Sequence, residues 1–260
     1  MMADTFIDVL PLWLLYLVVA TIVVLSIEPG WRLGNHQRQR HAEEGKAPVN
    51  APVGATIGLL AFLLAFTFGM AATRYDNRKA VVLQEANAIG TTYLRTDFLP
   101  DVFRSEARTA LREYLKLRTG GAAAIMSPEG MAQSAALHDQ LWSIATHAET
   151  ISDTVSVGLF VQSLNDVIDL DTIRVTANRN RIPDSIWLML VVVTIFSMAA
   201  MGYEFGLTGV RSWIVTILMT IVFTTVIMLI ADLDQAQAGL LQVSQQPLID
   251  LLNKIGTPAP

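Results

Sequence analysis

Apolar residues gather in four windows that hold no Asp, Glu, Lys or Arg, at 9–27, 53–73, 185–203 and 212–231. Between the second and third, apolar residues recur instead at three- and four-residue steps. A helix rises about 1.5 Å per residue, so roughly 20 apolar residues cross the roughly 30 Å hydrocarbon core of a bilayer. The windows predict four transmembrane helices, over 9–27, 53–73, 184–203 and 212–231. The segment before the first carries Asp4 and Asp8 and no basic residue, and Ser26-Ile27-Glu28-Pro29-Gly30 after it offers no small-x-small cleavage site, which reads as a retained span rather than a signal peptide. Glu28-Pro29-Gly30 is expected to stop the first helix and open a basic loop over 28–52. Pro183 starts the third span with Asp184 or Ser185 as its cap, and 204–211 forms a hairpin to the fourth.

The segment 74–183 predicts a soluble helical bundle. Val82, Ala86, Ile89, Tyr93 and Thr96 form one helical stripe, and Phe103, Ala107, Ala110, Tyr114 and Leu117 a second. Leu137, Leu141, Ile144, Ala148 and Ile151 make a third, and Val157, Phe160, Leu164 and Val167 a shorter fourth. Leu99-Pro100-Asp101, Thr119-Gly120-Gly121 and Ser127-Pro128-Glu129 punctuate them. No proline lies between Val53 and Leu99, so the second span and the first bundle helix read as one rod. The fold class is all-α: a multi-pass membrane protein with a helical bundle between spans two and three and a tail over 232–260.

Composition then becomes an average of two unlike parts. The 260 residues are 52% apolar and 16% charged, yet 12 of the 18 basic and 13 of the 23 acidic residues fall in 74–183. A net charge of −5 speaks against nucleic acid as a partner, and zero cysteines exclude disulfides and thiolate metal sites. Short loops carry the orientation signal. Arg32, Arg38, Arg40, Lys46 and Arg211 lie on one side and Lys254 on the other, which places the bundle on the external side of the membrane.

Enzyme chemistry finds no constellation: no GxSxG, phosphate loop or dinucleotide fingerprint is present. His36, His41, His138 and His147 have no ligand spacing, and His138 and His147 fall on opposite helix faces. No catalytic residue, metal site or cofactor is assigned. Asp166, Asp169 and Asp171 read first as a solvated face, with a cation site as the alternative. Arg104, Arg108, Arg112 and Lys116 recur at i, i+4, where like charges repel unless something anionic faces them. They are either an ion-attracting stripe or, more simply, partners of Glu106, Glu113 and the Asp166 group.

No ionisable residue lies inside a span, which argues against an ion-coupled pump. In the second span Gly54, Gly58, Ala61, Ala65 and Gly69 share a small-residue face suited to close helix packing. Phe62 and Phe66, with Leu59, form the neighbouring stripe. One reading packs the small face within the subunit and leaves the phenylalanines to lipid. The other sets several copies around an axis, with the phenylalanines lining a pore that gates by dewetting.

The stretch Gly58-Leu-Leu-Ala-Phe-Leu-Leu-Ala-Phe-Thr-Phe-Gly-Met, running into Arg74-Tyr-Asp-Asn-Arg-Lys and Glu85-Ala-Asn-Ala-Ile-Gly, resembles the bacterial bestrophin-like domain membrane proteins. The ending from Leu233 to Leu248 is similar as well, with Ala236 where that family has a proline. Bestrophins are pentameric ion channels whose second span lines a hydrophobic neck. The resemblance therefore implies a homo-oligomer, pentameric, with Gly58 or Leu59, then Phe62 and Phe66, lining a pore for inorganic ions. It also implies a cytoplasmic bundle, opposite to the charge count, and the tail lacks an acidic calcium-binding cluster. The reading is a bestrophin-like ion channel in the lipid bilayer. The alternative is a membrane-anchored bundle that acts as a sensor or scaffold and binds a ligand or partner.

Overall fold

The computed structural model describes residues 11–40, 49–151, 154–236 and 239–256. Asp4, Asp8, the first two residues of the first expected span, His41 and Lys46 lie outside the described residues. Among those described there are no strands. The helices are α1 (Leu12–Arg40), α2 (Asn50–Arg95), α3 (Asp101–Arg118), α4 (Gly121–Met126), α5 (Pro128–Ile151), α6 (Val155–Arg179), α7 (Asp184–Thr208), α8 (Trp213–Asp234) and α9 (Gln246–Gly256). A single 3₁₀ turn, Thr96–Phe98, follows α2. Four helical stretches, starting at Leu12, Asn50, Val155 and Trp213, are long and apolar enough to cross a membrane. The protein is a multi-pass, all-α membrane protein. It divides into a unit of 1–73 with 182–235 and a unit of 74–181 with 236–260.

In the first unit α1 packs along α7 by exchanging side chains for backbone contact. A Cβ on Gly30 would strike the Ala199 carbonyl, one on Gly34 the Tyr203 carbonyl, one on Gly202 the Ile27 carbonyl, and one on Gly206 the Trp31 carbonyl. These are two GxxxG sequences facing each other, the arrangement that lets membrane helices gain dispersion contact without side chains between them. The expected stop at Glu28-Pro29-Gly30 is absent, because α1 runs through Pro29 to Arg40. Pro29 removes one backbone donor, but the same stretch is held against α7 at Gly30, and Arg32 Nε donates to Glu28 Oε1 at 3.0 Å across the next turn. The first thirteen residues of the expected 28–52 loop are therefore helical.

The hairpin is shorter than 204–211. Helix α7 continues to Thr208 because Gly206 is packed on α1, and Gly209, at φ +75°, ends it. Ser212 then accepts from Val215 N–H at 3.4 Å and caps α8. Arg211 closes this end, paired with Glu28 at 2.7 Å and lying over the Trp31 and Trp213 rings at 5.0 and 4.3 Å. Helix α7 itself starts behind Pro183 with no side-chain cap, so neither Asp184 nor Ser185 has the capping role expected. The Ile182 N–H just before it donates instead to Asp234 Oδ1 at 2.9 Å.

In the second unit the predicted stripes form the core. Ala107, Leu111, Leu141, Ala148, Phe160 and Leu164 make one cluster, reached by Leu99 at the break after α2. Val82, Ile89, Tyr114, Leu115 and Val167 make another, joined by Leu248 and Ile255 of α9. The tail thus adds a helix to the bundle, with an apolar face repeating at Leu248, Leu251, Leu252 and Ile255. The third stripe ends early, because Ile151 is exposed at the last turn of α5.

Candidate functional site

Helix α2 is uninterrupted from Asn50 to Arg95, as the absence of proline after residue 52 predicts. Its membrane half buries Val53, Leu60, Leu64, Thr67 and Ala71 within the unit. Ser197 of α7 donates to the Thr56 carbonyl at 3.1 Å alongside this face. At about 100° per residue, Leu60, Leu64, Thr67 and Ala71 fall within about 60° of one another, and Phe62 points about 170° from their middle.

The opposite face is open. Phe62 is 65% exposed, Phe66 61% and Leu59 51%. A Cβ placed on Gly54, Gly58 or Gly69 meets nothing within 4 Å, and Ala61 and Ala65 are exposed. Among the described residues, none covers this strip of small residues. The close packing inside the chain is made instead by the glycines of α1 and α7. One continuous open face carries small residues on one flank and Leu59, Phe62 and Phe66 on the other.

The basic stripe on α3 has partners, though other ones than Glu106, Glu113 and Asp166. Arg104 pairs with Asp101 at 2.9 Å and Arg108 with Asp97 at 2.7 Å, and Arg108 also donates to Thr96 Oγ1. Arg112 donates to the Tyr93 hydroxyl at 2.7 Å and to the Ile255 carbonyl at 3.2 Å near the C-terminus of α9. The guanidinium groups of Arg108 and Arg112 both lie on the Tyr93 ring, at 5.3 and 5.6 Å. Three of the four residues thus tie α3 to the end of α2, to the 3₁₀ turn and to α9, while Lys116 is exposed.

A buried ion network, unforeseen in the sequence, occupies the middle of the second unit. Glu85, wholly buried, accepts from Arg118 Nε and Arg174 Nη1, with the Tyr114 hydroxyl at 3.4 Å. Arg118 also pairs with Asp171, and Arg174 donates to Gln245 Oε1 and to the Arg118 carbonyl. Burial drives the Tyr114 hydroxyl well above its ordinary pKa, so it stays protonated. Burial pulls the Arg174 guanidinium down, with Glu85 opposing.

The signal for this network was present. The stripe Phe160, Leu164, Val167 continues on the same spacing to Asp171, Arg174 and Asn178, and Tyr114 is followed at i+4 by Arg118. Opposite charges at seam positions of different helices mark a buried pair.

The two described bundle histidines are apart, as their spacing requires. His138 packs on Tyr114 with the rings tilted at 50° and their centroids 5.0 Å apart, and burial lowers its pKa, with the Asp171 charge opposing. His147 is bonded to the Ser143 carbonyl one turn back. Asp169 accepts from Asn165, so the three aspartates of α6 do not converge. Among the described residues no group of three or more His, Asp or Glu could hold a metal ion.

The family model for the bestrophin-like domain matches residues 15–248. Crystal structures of a bacterial bestrophin homolog from Klebsiella pneumoniae, carrying point mutations, have the same fold. One has a TM-score of 0.65 at 13% identity over 94% of this chain and 96% of that one. A second has 0.63 at 15% identity over 90% and 95%. A crystal structure described as a membrane protein gives 0.60 at 13% identity over 92% and 94%. No curated protein matches the chain.

Proposed function

The chain belongs to the bestrophin-like family, and from that premise we propose that it is a homo-oligomeric ion channel with its constriction on α2. The observation that carries this reading is the open face of α2, where Leu59, Phe62 and Phe66 stand free beside a strip of small residues. A single chain in a bilayer gains nothing from a strip that nothing fills, whereas neighbouring copies gain close backbone approach there. Copies packed through Gly54, Gly58, Ala61, Ala65 and Gly69 turn Phe62 and Phe66 inward. Two aromatic rings about one helical turn apart then form an apolar constriction, which controls ion flow by wetting and dewetting and needs no charged side chain. The oligomer is a pentamer by the family resemblance, and the membrane is the bacterial inner membrane.

The test is current through the purified chain in planar bilayers. Phe62→Ala with Phe66→Ala widens the constriction and is expected to raise conductance or open probability. Silence from both wild type and double variant refutes the channel. A monomer or dimer in detergent favours the scaffold reading instead. Orientation has its own test, because a reporter fused at Gly121 is active outside if the short-loop charges rule and inside if the family plan does.

A further inference from the structure

Beside the ion network the second unit holds a cavity of about 310 Å³, independent of any pore. Its wall includes Arg78 and Arg174, each 3% exposed, and Asn178, 9% exposed. Gln242 and Gln245 of the tail and the Thr119-Gly120-Gly121 turn complete the polar side, and among the described residues lining it none is acidic. Glu85, which anchors Arg174, is not on the wall.

The wall retains free donors. An arginine has five N–H groups. Arg174 directs three of its own at Glu85, Gln245 and the Arg118 carbonyl, leaving its Nε–H and second Nη1–H without a partner among the described residues. The Asn178 amide, nine-tenths buried on the last turn of α6, has no hydrogen-bond partner among the described residues. Its N–H groups are therefore available to an acceptor bound in the cavity.

The last carbonyls of α3, which would favour a cationic guest, are already engaged by Thr119 N–H at Leu115, Thr119 Oγ1 at Lys116, Gly120 N–H at Leu117 and Arg174 at Arg118. Two guanidinium groups, an open amide and no carboxylate select a planar or tetrahedral oxyanion. At about 30 Å³ per water molecule the space equals roughly ten waters, enough for a four-carbon dicarboxylate or a phosphate.

We infer that this cavity is a binding site for a small oxyanion, which bridges Arg174 and Asn178 of α6 to the C-terminal segment at Gln242–Gln245. The ligand holds the tail, and with it α9, onto the bundle. This assignment does not depend on conduction and survives if the channel reading fails.

The experiment is isothermal titration calorimetry on the full-length chain in detergent at constant ionic strength, with succinate and inorganic phosphate as probes and chloride as control. Saturable binding of succinate, phosphate or both is expected, and the pattern identifies a carboxylate or a phosphate site. Asn178→Leu removes the amide at similar volume. Ala123→Phe, from an exposed wall position, fills the space without touching the arginines. Each is expected to weaken binding tenfold or more while the unliganded Tm stays close to wild type. The inference is overturned if neither probe binds, if chloride gives the same heats, or if both variants bind as wild type does.

Discussion

Glu85→Gln removes one charge from the buried network while keeping the size of the side chain and one acceptor oxygen. In the native protein Glu85 and Asp171 balance Arg118 and Arg174, and Glu85, Arg118 and Arg174 are at most 3% exposed. The variant leaves two buried guanidinium groups facing one carboxylate. Breaking a buried pair in this way costs about 3–5 kcal/mol, because the orphaned charge keeps its desolvation penalty. Arg174 retains Gln245 and the Arg118 carbonyl, which favours the lower end of that range. A loss of about 3 kcal/mol is roughly a 100-fold rise in the population of the opened bundle. Hydrogen–deuterium exchange of the full-length chain in detergent, read on peptides from α3 and α6, measures that opening. Glu85→Gln with Arg174→Met restores the balance, leaving the Arg118–Asp171 pair intact, and is expected to recover at least tenfold of the lost protection. Exchange within threefold of wild type in the single variant would refute the reasoning. So would a double variant as unstable as the sum of its parts, because either result means the charges are not coupled.

Three further outcomes follow from the same geometry. Gly202→Val puts a branched side chain into the Ile27 carbonyl, so α1 and α7 must separate; a drop in Tm of the detergent-solubilised chain by 5 °C or more is expected, consistent with overpacking of about 1–3 kcal/mol. At Gly58 an added Cβ meets nothing among the described residues, so Gly58→Leu is expected to leave the protomer's Tm unchanged while size-exclusion chromatography with light scattering reports a smaller assembly; an unchanged oligomer rules out packing through that face. His138 has a folded pKa below its ordinary value, so the unfolded chain binds the extra proton first and stability falls as pH drops from about 6.5 through the folded pKa. Thermal melts between pH 7.5 and 5 are expected to show this slope in wild type and a flatter one in His138→Phe, which keeps the ring contact with Tyr114; equal slopes would show that the histidine does not carry it.

Much of the architecture was legible because hydrophobic patterning is a local property. The charge-free windows, the stripe from Ala107 to Tyr114 and the absence of proline between Val53 and Leu99 each depend only on residues near in sequence, and they specified four spans, a bundle and an unbroken α2. Pro29 was misread because its effect depends on a neighbour distant in sequence. Only the packing of Gly30 against Ala199 shows why the helix persists through it. The tail, too, needed its partner, since a short amphipathic segment becomes α9 only where Tyr114 and Leu115 accept it.

The candidate site divides along the same line. The small and aromatic stripes of the second span could be read from residue spacing at 3.6 per turn. Which stripe the subunit itself covers could not, because that depends on whether α2 meets α7 through Thr56 or through Gly58. The sequence alone determined what is apolar, what is helical and where charge is excluded. Tertiary structure alone decided which charges pair and which face stays open. Pairing Glu85 with Arg174 and leaving Phe62 uncovered are relations between residues far apart in the chain, set by three-dimensional packing rather than by local order.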